Sequence, residues 1–193
     1  MKAFIISLKK DSSKQYAQTC IKSIITTESV LDVEIFDATT PETLPDIKWS
    51  WPLKKKITCP YTGLTLKAYK NTDVKKRIAC AESHMRLWRI CVELDEPILI
   101  LEHDAIFTRK FEPFDFDGGA CAINSPTGAT FNHQEYLSKL KPGINEIPWV
   151  ADQAVPQGLP GNSAYIIKPW AAKQVIEKQQ EIGYWPNDAI MCK

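Results

Sequence analysis

Residues 98–105 read Ile-Leu-Ile-Leu-Glu-His-Asp-Ala, so four apolar residues lead directly into Glu102, His103 and Asp104. A run this apolar predicts a short strand buried on both faces. Open α/β sheets place their ligands at the carboxyl edge of such strands. In extended chain alternate side chains share a face, so Glu102 and Asp104 can point the same way. Two carboxylates on one side suit a hard divalent ion, one that keeps waters and takes further oxygens from a diphosphate. The competing reading is a surface turn whose acids are merely solvated. That reading fits an edge strand, and this strand is too apolar for an edge.

The elements that must hold this turn are legible around it. Residues 3–8 are an apolar run ending beyond Ser7, consistent with a buried first strand. Asp11 is a plausible N-cap for a helix to about Ile25, with Tyr16, Cys20, Ile21 and Ile24 on one side. Residues 33–36 predict a second strand, ending at Asp37. Strand, helix, strand is the opening of an α/β chain with a parallel, helix-covered sheet. Residues 77–94 carry Ile78, Ala81, Met85, Trp88 and Val92 at helical spacing. A second stripe runs beside them through Cys80, His84, Leu87, Cys91 and Leu94, which predicts a largely buried helix. Glu82, Arg86, Arg89 and Glu93 take the remaining face. Asp95-Glu96-Pro97 stops the helix before the acidic strand. Further strands are expected at 119–124 and 164–167, and a last helix opens at Pro169 and closes at Gly183.

Residues 38–73 break this regularity with Pro41, Pro45, Pro52, Pro60, Trp49 and Trp51. A stretch so long without periodicity is either a lid or binding loop, or an insertion with a short helix or two. Both readings stand. The whole of 1–193 is expected to be one domain around this segment.

Formal net charge is +1, with 44% hydrophobic and 24% charged residues. No global field therefore draws the chain to nucleic acid or to an anionic membrane. Lys54-Lys55-Lys56 reads as a solvated loop. The N-terminal apolar stretch is too short for a signal peptide, and no window approaches the roughly 18 apolar residues of a membrane span. The expected compartment is the cytoplasm. Six cysteines are scattered with no CxxC pair. Cys80, Cys91 and Cys121 read as small core residues, with neither a disulfide framework nor a zinc site expected.

Several segments together resemble glycosyltransferase family 25, the lipooligosaccharide-biosynthesis and collagen galactosyltransferase group. Ala79-Cys80-Ala81-Glu82-Ser83-His84 is similar to the family's glycine-cysteine-x-x-serine-histidine helix, with alanine in place of glycine. Ile100-Leu101-Glu102-His103-Asp104-Ala105 is similar to its strand ending Glu-Asp-Asp-Ala. Gly161-Asn162-Ser163-Ala164-Tyr165 looks like its Gly-x-x-Ala-Tyr segment, and Pro186-Asn187-Asp188 like its Pro-x-Asp motif.

The resemblance implies a GT-A-like fold, with a mostly parallel central sheet covered by helices on both faces. It implies a UDP-sugar donor, UDP-galactose foremost, a Mn²⁺ or Mg²⁺ ion, and inverting transfer of a hexose to a hydroxyl of a glycan or lipooligosaccharide. On this reading Asp104 and Glu102 hold the metal. Ser7, Asp37, His84, Glu102 and His103 surround the donor, and Asp188 is the general base. Alternatives remain at each position: strand-end capping for Ser7 and Asp37, a buried histidine holding a backbone carbonyl for His84, and a helix cap for Asp188.

Two departures qualify the resemblance. His103 stands where the family has its middle Asp, which removes one negative charge from the metal site. The chain also ends at Lys193, just past Pro-x-Asp, where relatives typically continue. Both motivate a second expectation, a glycosyltransferase-like binding module without catalysis. A nucleotidyltransferase is disfavoured, because Lys9-Lys10-Asp11-Ser12-Ser13-Lys14 has no glycine for a phosphate loop.

Overall fold

Strand β1 (Lys2–Ser7), helix α1 (Asp11–Thr26) and strand β2 (Asp32–Asp37) open the chain, as the hydrophobic pattern predicts. The computed structural model describes residues 1–70, 73–129, 132–150, 152 and 154–192. Asn71 and Thr72 of the 38–73 segment, together with Thr130, Phe131, Ala151, Gln153 and Lys193, lie outside the described residues. A hairpin of two-residue strands follows, β3 (Ile57–Thr58) with β4 (Thr65–Leu66), then helix α2 (Val74–Leu94) and strand β5 (Ile98–Glu102). The rest comprises β6 (Ala120–Ala122), α3 (His133–Lys139), β7 (Ala164–Ile167), α4 (Pro169–Ile182) and the single turn α5 (Asn187–Ile190).

Among the described residues, five strands form one sheet in the order β2-β1-β5-β7-β6. β1 pairs parallel with both β2 and β5, whereas β7 runs antiparallel to β5 and to β6. Four strands therefore point one way and β7 alone is reversed. The sheet is mixed in its pairing, within an α/β, GT-A-like architecture. β5 sits at its centre, and Ile98, Leu99, Ile100 and Leu101 are each 0% exposed. Burying four such side chains contributes about 1.5–3 kcal/mol each, which is why this strand cannot lie at an edge.

The alternation along β5 divides the interior in two. Ile98 and Ile100 join Met85, Leu87, Trp88 and Cys91 of α2 and Ala171, Ala172 and Ile182 of α4. Leu99 and Leu101 face Ala17, Cys20 and Ile24 of α1. Helices thus cover both faces. The apolar side of α1 differs from its expected composition, because Tyr16 is 55% exposed and Ala17 takes the inward place. Asp11 is the first helical residue and Lys10 the N-cap, and Ser13 Oγ accepts the Leu8 N–H to close the turn at 2.9 Å. Glu82, assigned by spacing to the outer face of α2, is buried. Arg89 Nη1 at 3.1 Å and Tyr184 Oη at 3.0 Å donate to its two carboxylate oxygens.

The 38–73 segment contains the β3–β4 hairpin and no α-helix among the described residues, so of the two readings the insertion with a short helix or two is not met there. Its apolar residues instead anchor it. Trp51 packs edge-on against Trp185 at 5.2 Å, and its Nε1 donates to the Lys67 carbonyl at 2.9 Å. Leu66 is buried in the α2–α4 core. A backbone bridge between Trp49 and Tyr184 ties the segment to the chain after α4. Gly183 (φ +87°) is required there, since a Cβ would lie 2.0 Å from Ser50 Oγ.

Candidate active site

The register of the sheet brings the expected residues to one edge. Ser7 pairs with Asp37, and Ile6 pairs with Glu102, so the carboxyl ends of β2, β1 and β5 lie side by side. β7 enters from the opposite direction, and Glu102 N–H donates to the Ser163 carbonyl at 2.9 Å. The segment before β7 is therefore delivered to the same edge.

Helix α2 supplies Cys80 and His84, four residues apart and so on one face. His84 is 1% exposed, and its Nδ1 lies 2.8 Å from the Tyr165 hydroxyl, which also accepts from Trp88 Nε1 at 2.9 Å. The histidine partner is thus a phenol of β7 and not a backbone carbonyl. Burial pushes its pKa down to about 3. Cys80 is solvent-exposed, unlike the core residue its apolar surroundings suggested. Its thiol is nonetheless pushed up to about 12, first by desolvation and then by Glu102 and Asp188. Both facts fit a side chain reached by water yet flanked by Glu102 of β5 and Asp188 of α5, in an open cleft between these elements and α2. Ligand atoms of Cys80, His84 and Glu102 lie within 4.8 Å of one another.

Three carboxylates share this cleft. Burial raises the Glu102 carboxyl above its ordinary value, and the charges of Asp104 and Asp188 raise it further. Asp104 lies exposed in the turn after β5, which closes through Ala105 N–H to the Glu102 carbonyl at 3.0 Å. His103, beside it, is half-buried with its ring 5.7 Å from that of Tyr16. Asp188 stands in the first turn of α5, whose N-cap position is held by Pro186 and not by an acid. Instead Tyr69 Oη donates to Asp188 Oδ1 at 2.9 Å. The Arg77 guanidinium sits 3.8 Å above the Tyr69 ring, bringing one cation to the acidic cleft.

The backbone holds α5 in place. With its amide oriented to satisfy both ends, Asn162 accepts from Asn187 Nδ2 at 3.0 Å and from Asp188 N–H at 3.1 Å. Gly158 lies against the same turn, where a Cβ would meet the Asp188 carbonyl at 2.0 Å. Ser7 and Asp37 make contacts of their own. Ser7 is 3% exposed with its hydroxyl 3.1 Å from Ser13 Oγ, and Asp37 forms an exposed ion pair with Lys9 at 3.0 Å. The Asp37 carbonyl accepts from Arg86 Nη1 at 3.0 Å, and Ser83 Oγ accepts from Thr39 N–H at 2.9 Å, so α2 grips the loop after β2.

The structure therefore gathers His84, Glu102 and Asp188 into one cleft, with Asp104 at its rim and Ser7 and Asp37 further along the edge. Sequence reasoning missed Cys80, Tyr69, Arg77, Asn162 and Asn187. The i, i+4 spacing of Cys80 and His84 was the available signal for the first. Tyr69 carried none, because its partner lies 119 residues away. Two surface hollows of about 460 Å³ lie elsewhere, one along the outer face of α1 and one beside Glu82, Arg89 and Tyr184. Neither is lined by Glu102, Asp104 or Asp188. Converging charge and hydrogen bonding, more than hollow size, mark the site.

His84 gives the fold a defined acid sensitivity. Its folded pKa of about 3 lies below the ordinary 6.5, so below pH 6.5 the unfolded chain takes up a proton that the folded chain refuses. The stability present above pH 6.5 is then lost on acidification towards pH 3, by about 1.4 kcal/mol per unit. Thermal melts in EDTA buffer between pH 7 and 4 should show this slope, and His84→Gln should flatten it. Equal slopes in both proteins would assign the acid loss to other groups.

The model of a family described as glycosyltransferase family 25 (LPS biosynthesis protein) matches residues 1–117 of the 193. The match includes Cys80, His84, Glu102 and Asp104, and ends before β7 and Asp188. A comparison with curated proteins gives no match.

Proposed function

The chain belongs to glycosyltransferase family 25, and from that premise we propose that it moves a hexose, galactose foremost, from a UDP-sugar to a glycan hydroxyl with inversion. The observation carrying this reading is the convergence of Glu102, Asp104 and Asp188 at one sheet edge, close enough for their charges to raise the Glu102 carboxyl. Carboxylates so arranged repel one another, and a hard divalent ion with oxygen ligands relieves that repulsion. The donor set thus fits Mn²⁺ or Mg²⁺, with Asp104 and Glu102 as its protein ligands. When bound, the ion would act as a Lewis acid towards the diphosphate of the departing UDP.

The chain's own residues supply the remainder. Tyr69 fixes one oxygen of Asp188 and leaves the other to take the proton of the acceptor hydroxyl. The acceptor oxygen then forms its bond to the anomeric carbon as the bond to UDP breaks, and attack from the opposite face inverts that centre. Ser7, Asp37, His84 and His103 are proposed to surround the donor nucleotide and sugar from the same edge. One domain is the matching organisation, since β6 and β7 complete the sheet begun by the family-matched residues. Among the described residues no helix is long and apolar enough to cross a membrane. A lipooligosaccharide acceptor handled in the cytoplasm is part of this proposal.

The contact of His103 with Tyr16, in place of a third acid in the turn, supports a second reading, a nucleotide-sugar or glycan-binding module without turnover. Calorimetric titration with UDP and Mn²⁺ tests what the two readings share. UDP binding should require the ion and disappear in excess EDTA, and equal binding with chelator would overturn the metal site. Release of UDP from the donor sugar, with Mn²⁺ and a panel of acceptors, then separates the transferase from the binding module.

A further inference from the structure

We propose that Cys80, His84 and Glu102 form a binding site for a thiophilic divalent cation, Zn²⁺ foremost, distinct in donor chemistry from the all-carboxylate site and sharing Glu102 with it. A thiol, an imidazole and a carboxylate, each offering one donor atom within 4.8 Å of the others, are the ligand types that zinc combines. A hard Mg²⁺ or Mn²⁺ has little use for sulfur.

Rigid elements position all three. Cys80 and His84 stand one turn apart on α2, as paired helical metal ligands do. Glu102 ends the buried central strand. Tyr165 occupies His84 Nδ1 and leaves Nε2 for the ion, the outer-sphere support that a ligating histidine needs. Trp88 in turn fixes the Tyr165 hydroxyl. Bonds of roughly 2.0–2.3 Å to a tetrahedral ion require donor atoms about 3.3–3.7 Å apart. The cluster must therefore contract slightly, and the exposed Cys80 side chain and the half-buried Glu102 have the torsional freedom to do so. Asn187 Oδ1, 3.8 Å from Cys80 Sγ, borders the fourth position, which water or this amide oxygen would fill. As the sulfur–metal bond forms, the thiol releases its proton to solvent.

Sharing Glu102 has a functional consequence. Zinc draws that carboxylate towards α2 and away from Asp104, so zinc occupancy should oppose Mn²⁺-dependent UDP binding. Only this competition rests on the proposed transferase reading; the cation site itself does not.

The test uses the metal alone. Co²⁺ added to the reduced, metal-stripped protein should produce an intense near-ultraviolet thiolate-to-cobalt band that Cys80→Ser abolishes and Asp104→Ala retains. Calorimetry with ZnCl₂ should show affinity weakened at least about 10–100-fold in Cys80→Ser, the loss found even for partners outside the ligand sphere. Cys80 is exposed, so serine there should leave the fold and its circular dichroism unchanged. Absence of the band in the wild type, or the same band and zinc affinity in Cys80→Ser, overturns the proposal. A thiolate band in a protein that fails to bind UDP with Mn²⁺ would instead overturn the donor reading and leave this site standing.

Discussion

Asp188→Asn is expected to lower transfer by roughly 10²–10⁴-fold, the loss typical of removing a general base, while UDP still binds with Mn²⁺. The substitution is nearly isosteric, and the amide oxygen can still accept the Tyr69 hydroxyl that reaches Asp188 Oδ1 at 2.9 Å. The Asp188 backbone N–H keeps its bond to Asn162. The cap position of α5 is not touched either, because Pro186 holds it and Asp188 lies one residue inside the helix start. A collapse of α5 therefore cannot account for a fall in turnover. The variant removes only the ability of the second oxygen to accept a proton. Initial rates at saturating donor and acceptor, set beside UDP affinity from calorimetry, measure both halves. Near-wild-type turnover would remove Asp188 from the chemistry.

Asp104→Ala should abolish metal-dependent UDP binding, weakening it by more than about 10–100-fold, without unfolding the chain. Asp104 is exposed in a turn closed by backbone atoms, Ala105 N–H to the Glu102 carbonyl, so its side chain holds up no part of the core. His103 contributes no negative charge, which leaves Glu102 as the neighbouring acid of the turn to hold the ion. Glu102 is also the carboxylate already strained by burial and by its acidic neighbours. Loss of Asp104 should lower the Glu102 pKa, because one of the charges raising it is gone. Titration of the variant with UDP and Mn²⁺, alongside Asp32→Ala as an exposed acid at the opposite end of β2, gives the comparison. Unchanged ion-dependent binding in Asp104→Ala would move the metal elsewhere.

The sequence by itself determined what depends on local periodicity and composition. The apolar run 98–101 required a central strand, and the acids after it required an exit at the sheet edge. The paired stripes of α2 required a buried helix ahead of it, and β7 and α4 lie where the spacing and Pro169 place them. Family resemblance extended this to Asp188, which no spacing could connect to residue 102. Where spacing reasoning failed, the deciding contact was long-range. Glu82 looks like a solvent-facing acid until Tyr184, 102 residues later, covers it. Cys80 looks like a core residue because its stripe continues into Leu87 and Cys91. Only the arrival of β5 and α5 at the N-terminal half of that stripe turns it into the floor of a cleft. The 38–73 segment shows no period because its order comes from Trp51 against Trp185 and Tyr69 against Asp188, partners more than a hundred residues away. The tertiary structure alone decided which side chains share the cleft. Their electrostatic coupling depends on distance in space, and distance along the chain does not encode it.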